Sequence, residues 1–123
     1  MDLRTRHVKA DLLIPSPEPE LEIWPSVNPE VGRYGEYVFF DISYNIRVVD
    51  AKKRDAIELH ATFSLVFQIL DEKVSDEDLS AFGAIGAISV AHPYARELFQ
   101  NLTGRMGVPP LVLDVLPPEP AEE

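Results

Sequence analysis

Hydrophobic and polar residues alternate with a period of two in three stretches of this chain, and a fourth has helical spacing. Val8, Ala10, Leu12 and Ile14 fall on one side and His7, Lys9 and Asp11 on the other, which predicts a strand over 6–14. Pro15-Ser16-Pro17-Glu18-Pro19 ends it as a stiff, extended connector. Leu21 to Trp24 predict a short edge strand, because Pro25 has no amide hydrogen for a ladder. Gly32 and Gly35 predict a turn. Val38, Phe40, Ile42, Tyr44, Ile46 and Val48 then alternate with Asp41, Ser43, Asn45 and Arg47, a long strand with one oily face. After a charged turn, Asp50 to Asp55, the residues Ile57, Leu59, Ala61, Phe63, Leu65, Phe67 and Ile69 alternate with Glu58, His60, Thr62, Ser64 and Gln68. This second long strand is expected to pair antiparallel with the first.

From Ser75 the period changes. A hydroxyl ahead of Asp76-Glu77-Asp78 predicts a capped helix start, and Leu79, Phe82 and Ile85 follow at helical spacing. Gly83 and Gly86 lie in that helix, where each glycine costs about 1 kcal/mol against Ala. Close approach of another backbone is the expected reason. Pro93 predicts a kink or restart. Beyond it Tyr94, Leu98 and Leu102 form a stripe, with Ala95, Phe99 and Met106 beside it, until Gly107 and Pro109-Pro110 stop the helix. A short apolar run, Leu111 to Leu116, ends at Pro117-Pro118.

Composition narrows the classes. The chain has 123 residues, 46% hydrophobic and 26% charged, enough for one domain with a core. We expect one domain over 1–116 and a disordered acidic Pro/Glu tail over 117–123. No apolar run approaches the roughly 18–20 residues that span a bilayer, and the N-terminal residues lack the apolar stretch of a signal peptide. With no cysteine there is no thiolate metal site, and a reducing cytoplasm is the expected compartment. A net charge of −10 argues against nucleic acid, and the densest basic cluster, Lys52-Lys53-Arg54, sits between Asp50 and Asp55. His7, His60 and His92 lie on separate elements without ligand spacing, and no phosphate loop or nucleophile motif is present. We expect no enzyme and no cofactor.

One length does not fit a lone globule. Residues 57–70, fully extended, span about 46 Å at about 3.3 Å each, against a diameter of about 35 Å for a compact chain of this size. Bending would absorb the excess, and so would pairing with another copy, which would also bury the oily face along its length; a homo-oligomer is expected.

The helix carries His92-Pro93-Tyr94-Ala95-Arg96-Glu97-Leu98, followed by Arg105-Met106-Gly107-Val108-Pro109-Pro110-Leu111-Val112-Leu113. In these segments the sequence resembles the export chaperone SecB and its SecB-like relatives. Pro93 to Glu97 match that family's Pro-Tyr-Ala-Arg-Glu signature residue for residue, and Arg105 to Leu113 match its Arg-Gly-x-apolar-Pro run in slightly shifted spacing. The order of elements agrees from about Arg6 to Leu116. The resemblance implies an α+β fold, a four-stranded antiparallel sheet with one long C-terminal helix packed on it. It also implies a dimer of dimers, and hydrophobic grooves that hold unfolded polypeptides without ATP. In some relatives these are clients for the motor SecA; in others the client is the antitoxin of a toxin–antitoxin pair. His92 departs from the family's usual apolar residue, and the sequence ends without the family's second C-terminal helix, as in a short variant. Asp11 matches one carboxylate of the SecA-docking surface, while the last-strand carboxylate falls near His60, which weighs against SecA.

A holding protein needs exposed apolar surface, and extended clients add backbone pairing at a sheet edge. Candidate groove residues are Trp24 and Val27, near the Pro-rich crossover, with Tyr37 and Phe39, two large groups on an otherwise polar strand face. Candidate oligomer or helix-packing residues are Gly83, Gly86, Tyr94, Arg96, Glu97 and Leu98. The alternative function is a dedicated interaction module with one folded partner. A small-molecule site would need converging polar groups in a closed pocket, and the sequence supplies few.

Overall fold

The computed structural model describes residues 2–69, 75–114 and 117, the side chains of 83 and 84 excepted. The predicted tail and Leu116 lie outside the described residues, apart from Pro117. Four strands form one antiparallel sheet in the order β1-β4-β3-β2: β1 Asp2–Leu12, β2 Glu22–Tyr34, β3 Tyr37–Val49 and β4 Asp55–Gln68. The two long strands pair as their alternation predicts, with Ile42 opposite Phe63 and Ile46 opposite Leu59.

The short edge strand expected at Leu21 to Trp24 is instead a strand of 13 residues. Pro25 and Pro29, opposite Ile46 and Ile42, do not break it. They stand four apart, so both missing N–H groups belong on the same side, and on an edge strand that side can be the open one. The turn is only Gly35-Glu36, with Tyr34 opposite Tyr37 and Gly35 at φ 61°. Gly32 belongs to β2, because the Phe39 ring lies where a Cβ would stand.

The helical column runs along one face of the sheet as α1 Asp76–Phe82, a π-helical turn Gly83–Ala87, and α2 Ile88–Arg105. Ser75 caps its start: the Ser75 Oγ accepts the Asp78 N–H at 3.1 Å. Pro93 does not restart the helix, since α2 runs through it unbroken, and a π-helical turn lies upstream. Gly107, at φ 76°, ends it in the left-handed conformation that glycine adopts without strain. At Gly86 the close neighbour within the chain is a side chain rather than a backbone. What lies against Gly86 is the Phe82 ring, in the space a Cβ would take, and that ring packs edge-on against Phe40 and Phe67 at 5.2 and 5.7 Å. The core is the inner face of the sheet against Leu79, Ile88, Ala91, Ala95 and Phe99.

Asp50 ties the β3–β4 turn to the Pro-rich crossover. Its buried carboxylate accepts the Lys52 and Arg54 amides at 3.0 Å each and the Arg54 guanidinium at 2.7 and 3.0 Å. The Glu18 N–H donates to it at 3.3 Å, and the Ala51 N–H returns a bond to the Glu18 carbonyl at 2.9 Å. Burial alone pushes this carboxyl up. Hydrogen bonds from Arg54 and Glu18, with the Arg54 charge, outweigh that and hold it well below the usual carboxylate range. A folded-state pKa below the unfolded one gives stability that is present above about pH 4 and lost as pH falls further. Thermal melts should therefore fall below about pH 4 in the native protein, and Asp50→Asn should lower the neutral-pH melt and flatten that acid slope. An unchanged slope would show that Asp50 does not carry it.

Candidate functional site

The helical column covers one face of the sheet, and what it leaves open is apolar in two places. The larger is a cleft of about 340 Å³ at the end of the sheet. The crossover supplies Pro19, Glu20 and Leu21; β2, β3 and β4 supply Ile23, Val48 and Ile57; α2 supplies Thr103; and the segment after α2 supplies 108–112. Its walls are almost wholly aliphatic or proline. Pro19, Pro109 and Pro110 have no N–H to offer, so the cleft reads apolar side chains rather than a client's backbone.

Two anchors set the walls. The Asp50 hub fixes the crossover through Glu18. On the other side, polar groups of α2 hold the segment Leu111 to Asp114. The Thr103 Oγ accepts the Leu111 N–H at 2.7 Å and donates to the Phe99 carbonyl at 2.8 Å. The Arg96 Nε donates to the Leu113 carbonyl at 3.1 Å, and the His92 Nε2 donates to the Asp114 carbonyl at 2.7 Å. Leu111 and Leu113 are buried while Val112 between them is exposed, an alternation that belongs to extended chain.

The second open region is the β1 side of the inner face. Val8 and Leu12 are 41% and 37% exposed there. Thr5 and Phe63 face Tyr94, Glu97, Leu98 and Asn101 of α2 across a shallow furrow of about 220 Å³.

The residues predicted for the groove do not come together. Val27 is fully buried on the inner face opposite Tyr44, so it belongs to the core and cannot touch a client. Period-two alternation puts Trp24 on the other face of the same strand. Trp24, Tyr37 and Phe39 share the outer face, but Trp24 pairs with Arg47 and Gly32 with Phe39. These positions are eight residues apart along β3, about 26 Å at about 3.3 Å per residue. Phe39 is also half covered, lying on Gly32. Trp24 instead flanks a polar hollow with Asn45, Arg47, Glu58 and His60. The crossover leucine and the Val-Pro-Pro-Leu-Val run form the cleft that the sequence reading missed. The signal was there: two proline-bounded apolar segments, one between β1 and β2 and one after α2.

Among the helix residues, Arg96 serves the chain's own packing by holding Leu113. Tyr94, Glu97 and Leu98 remain available to a partner. The side-chain surroundings of position 83 lie outside the described residues. On the outer face Asp11 stands directly opposite Glu58, so a carboxylate pair does bridge the first and last strands, one row away from His60, which faces Lys9. Like charges directly opposite each other cost stability. Lys9 relieves one of them at 3.7 Å, and Glu58 has no ion-pair partner among the described residues.

Among the described residues no group of three His, Cys, Asp or Glu side chains is placed to hold a metal ion, and no helix is long and apolar enough to cross a membrane.

The solved structure of the Mycobacterium tuberculosis SecB-like chaperone Rv1957, in complex with a ChAD peptide from the Rv1956 HigA1 antitoxin, superposes with a TM-score of 0.84 at 25% identity. The match covers 94% of this chain and 88% of that one. The chain is SecB-like in sequence and in fold. In sequence, the SecB-like chaperone Rv1957 is 28% identical over 114 residues, covering 79% of this chain. The protein-export protein SecB of Anaplasma phagocytophilum is 26% identical over 117 residues, covering 88% of this chain and 74% of the relative. The chain spans about 62% of the length of the first of these relatives. No protein-family profile matches it. The SecB-like fold accounts for the long helix on a four-stranded sheet that the Pro93–Glu97 signature implied.

Proposed function

We propose that this protein is an ATP-independent holding chaperone that takes extended apolar segments of unfolded polypeptides in the cleft between the crossover and the segment after α2. The observation that carries this reading is the cleft itself: about 340 Å³, aliphatic and proline walls, and no converging polar groups that would select a small molecule. Such a surface binds each client side chain weakly and without sequence preference, and several contacts together give useful affinity. The net charge of −10 keeps a protein with exposed apolar surface soluble. The relative whose structure holds an antitoxin peptide supports a polypeptide client, and an antitoxin is one client of this class. Export clients handed to SecA are another, for which the Asp11–Glu58 pair is the docking candidate. The cytoplasm is the compartment where both would be met.

We further propose that two copies associate through β1. Its outer backbone edge is open and free of proline, whereas β2, the opposite edge, carries Pro25 and Pro29. Val8, Leu12 and the furrow beside Tyr94 and Leu98 lie next to that edge.

Aggregation of a chemically unfolded client, diluted into buffer without nucleotide, tests the holding function. Light scattering should fall as the protein is added and approach baseline at a few-fold molar excess. Scattering that does not change at that excess contradicts the proposal.

A further inference from the structure

His92 is 2% exposed, a polar ring between the buried Ala91 and Ala95 levels of α2, where an apolar side chain would pack without a desolvation cost. Both ring nitrogens are bonded, and the pattern fixes the tautomer. A carbonyl can only accept, so Nε2 carries the hydrogen that goes to Asp114 at 2.7 Å. In the neutral ring Nδ1 is then an acceptor, and the Tyr44 hydroxyl donates to it at 2.8 Å. Tyr44 lies at the centre of β3, fully buried, and its ring stacks on the imidazole at 5.9 Å. A polar chain therefore runs from the middle of the sheet through the helix to the far end of the cleft-wall segment.

The segment's two ends are held differently. Pro109-Pro110 and the Thr103 bond fix the end next to α2, and buried Leu111 packs there. The far end is held by two side-chain donors, Arg96 to Leu113 and His92 to Asp114, besides the burial of Leu113. Hydrogen bonds of this kind contribute little net stability each, because water replaces the lost partner when the segment lifts.

We propose that Leu111 to Asp114 is a hinged wall of the cleft, and that His92, held by Tyr44, is the latch that keeps it shut. The prolines act as the hinge and the His92 and Arg96 bonds as the catch. Opening at the Asp114 end lifts buried Leu113 from the edge of the core and leaves the sheet and α2 in place, so that a client side chain larger than the resting space is admitted. His92 is a positioning residue, and it acts through the wall rather than on the client. The latch rests on the chaperone reading only where client entry is concerned; the motion of the wall stands apart from it.

Hydrogen exchange of the whole protein without any client reads the wall directly. His92→Phe keeps the ring volume and removes both bonds. Exchange at the Leu111, Val112, Leu113 and Asp114 amides should then rise about tenfold, while amides of 95–103 in α2 stay within about twofold. Tyr44→Phe should raise wall exchange in the same sense by a smaller factor, and His92→Gln, which keeps a donor for Asp114, should restore much of the protection. Equal acceleration of wall and helix would show a purely structural histidine and overturn the latch, as would no acceleration at all. If His92→Phe unfolds the chain, Tyr44→Phe with His92→Gln decides on the same amides. The association rate of an unfolded apolar peptide should also rise in His92→Phe. A native protein that binds no such peptide removes the chaperone reading but leaves the wall result standing.

Discussion

Leu21→Asp combined with Val112→Asp should weaken binding of an unfolded apolar client by about a hundredfold or more, with little change in the fold. Both residues line the cleft from opposite walls, and neither is fully buried. In the empty protein their carboxylates reach water, so folding loses little. Once a client fills the cleft they must desolvate without a partner, at about 1–3 kcal/mol or more each. Two such costs together come to about 2–6 kcal/mol, a range around the roughly 2.8 kcal/mol that a hundredfold loss requires. Trp24→Ser and Phe39→Ser, on the outer face, should by contrast leave affinity within about twofold, because they lie outside the cleft. Fluorescence titration of a labelled peptide separates the two pairs. A loss from the Trp24 and Phe39 pair with none from the Leu21 and Val112 pair would place the client on the outer face.

The second large effect concerns assembly. Val8→Asp with Leu12→Asp should convert the oligomer to monomers at micromolar concentration, raising its dissociation constant by more than about a hundredfold. Each apolar side chain buried at an interface contributes about 1.5–3 kcal/mol, and a charge in its place adds a desolvation cost. Both side chains are already more than a third exposed in the single chain, so the fold itself loses little. Light scattering with size-exclusion chromatography reports the mass. A native protein that stays monomeric across this range contradicts the assembly reading outright.

The architecture was legible because one face of the sheet is buried. Val38 to Val48 and Ile57 to Ile69 alternate strictly, since one register step would turn their whole apolar set to solvent. The helix start was legible from Ser75, whose hydroxyl accepts the bond expected of it. β2 was not legible beyond Trp24. Its prolines look like breakers, and only the topology, which makes it an edge, tells that they are tolerated. Gly32 and Gly86 misled for a related reason. Each glycine is explained by an aromatic ring, Phe39 from the next strand and Phe82 one turn back, and a sequence does not show where a ring folds over.

The site was only partly legible. The alternation that makes Trp24 outward also makes Val27 inward, so naming both as one groove crossed the sheet. The cleft needs two segments about ninety residues apart, near Leu21 and Leu111, and nothing local in either specifies the other. His92 was visible only as a departure from an apolar position. Its reason lies in Tyr44 and Asp114, on two other segments of the chain.

The most direct test of the central claim is methyl NMR of the isoleucine-, leucine- and valine-labelled protein, titrated with an extended, unfolded client peptide. Perturbations and intermolecular contacts should concentrate on Leu21, Ile23, Val108 and Val112. A response confined to Val66 on the outer face, or to Val8 and Leu12 beside β1, would contradict a client-holding cleft.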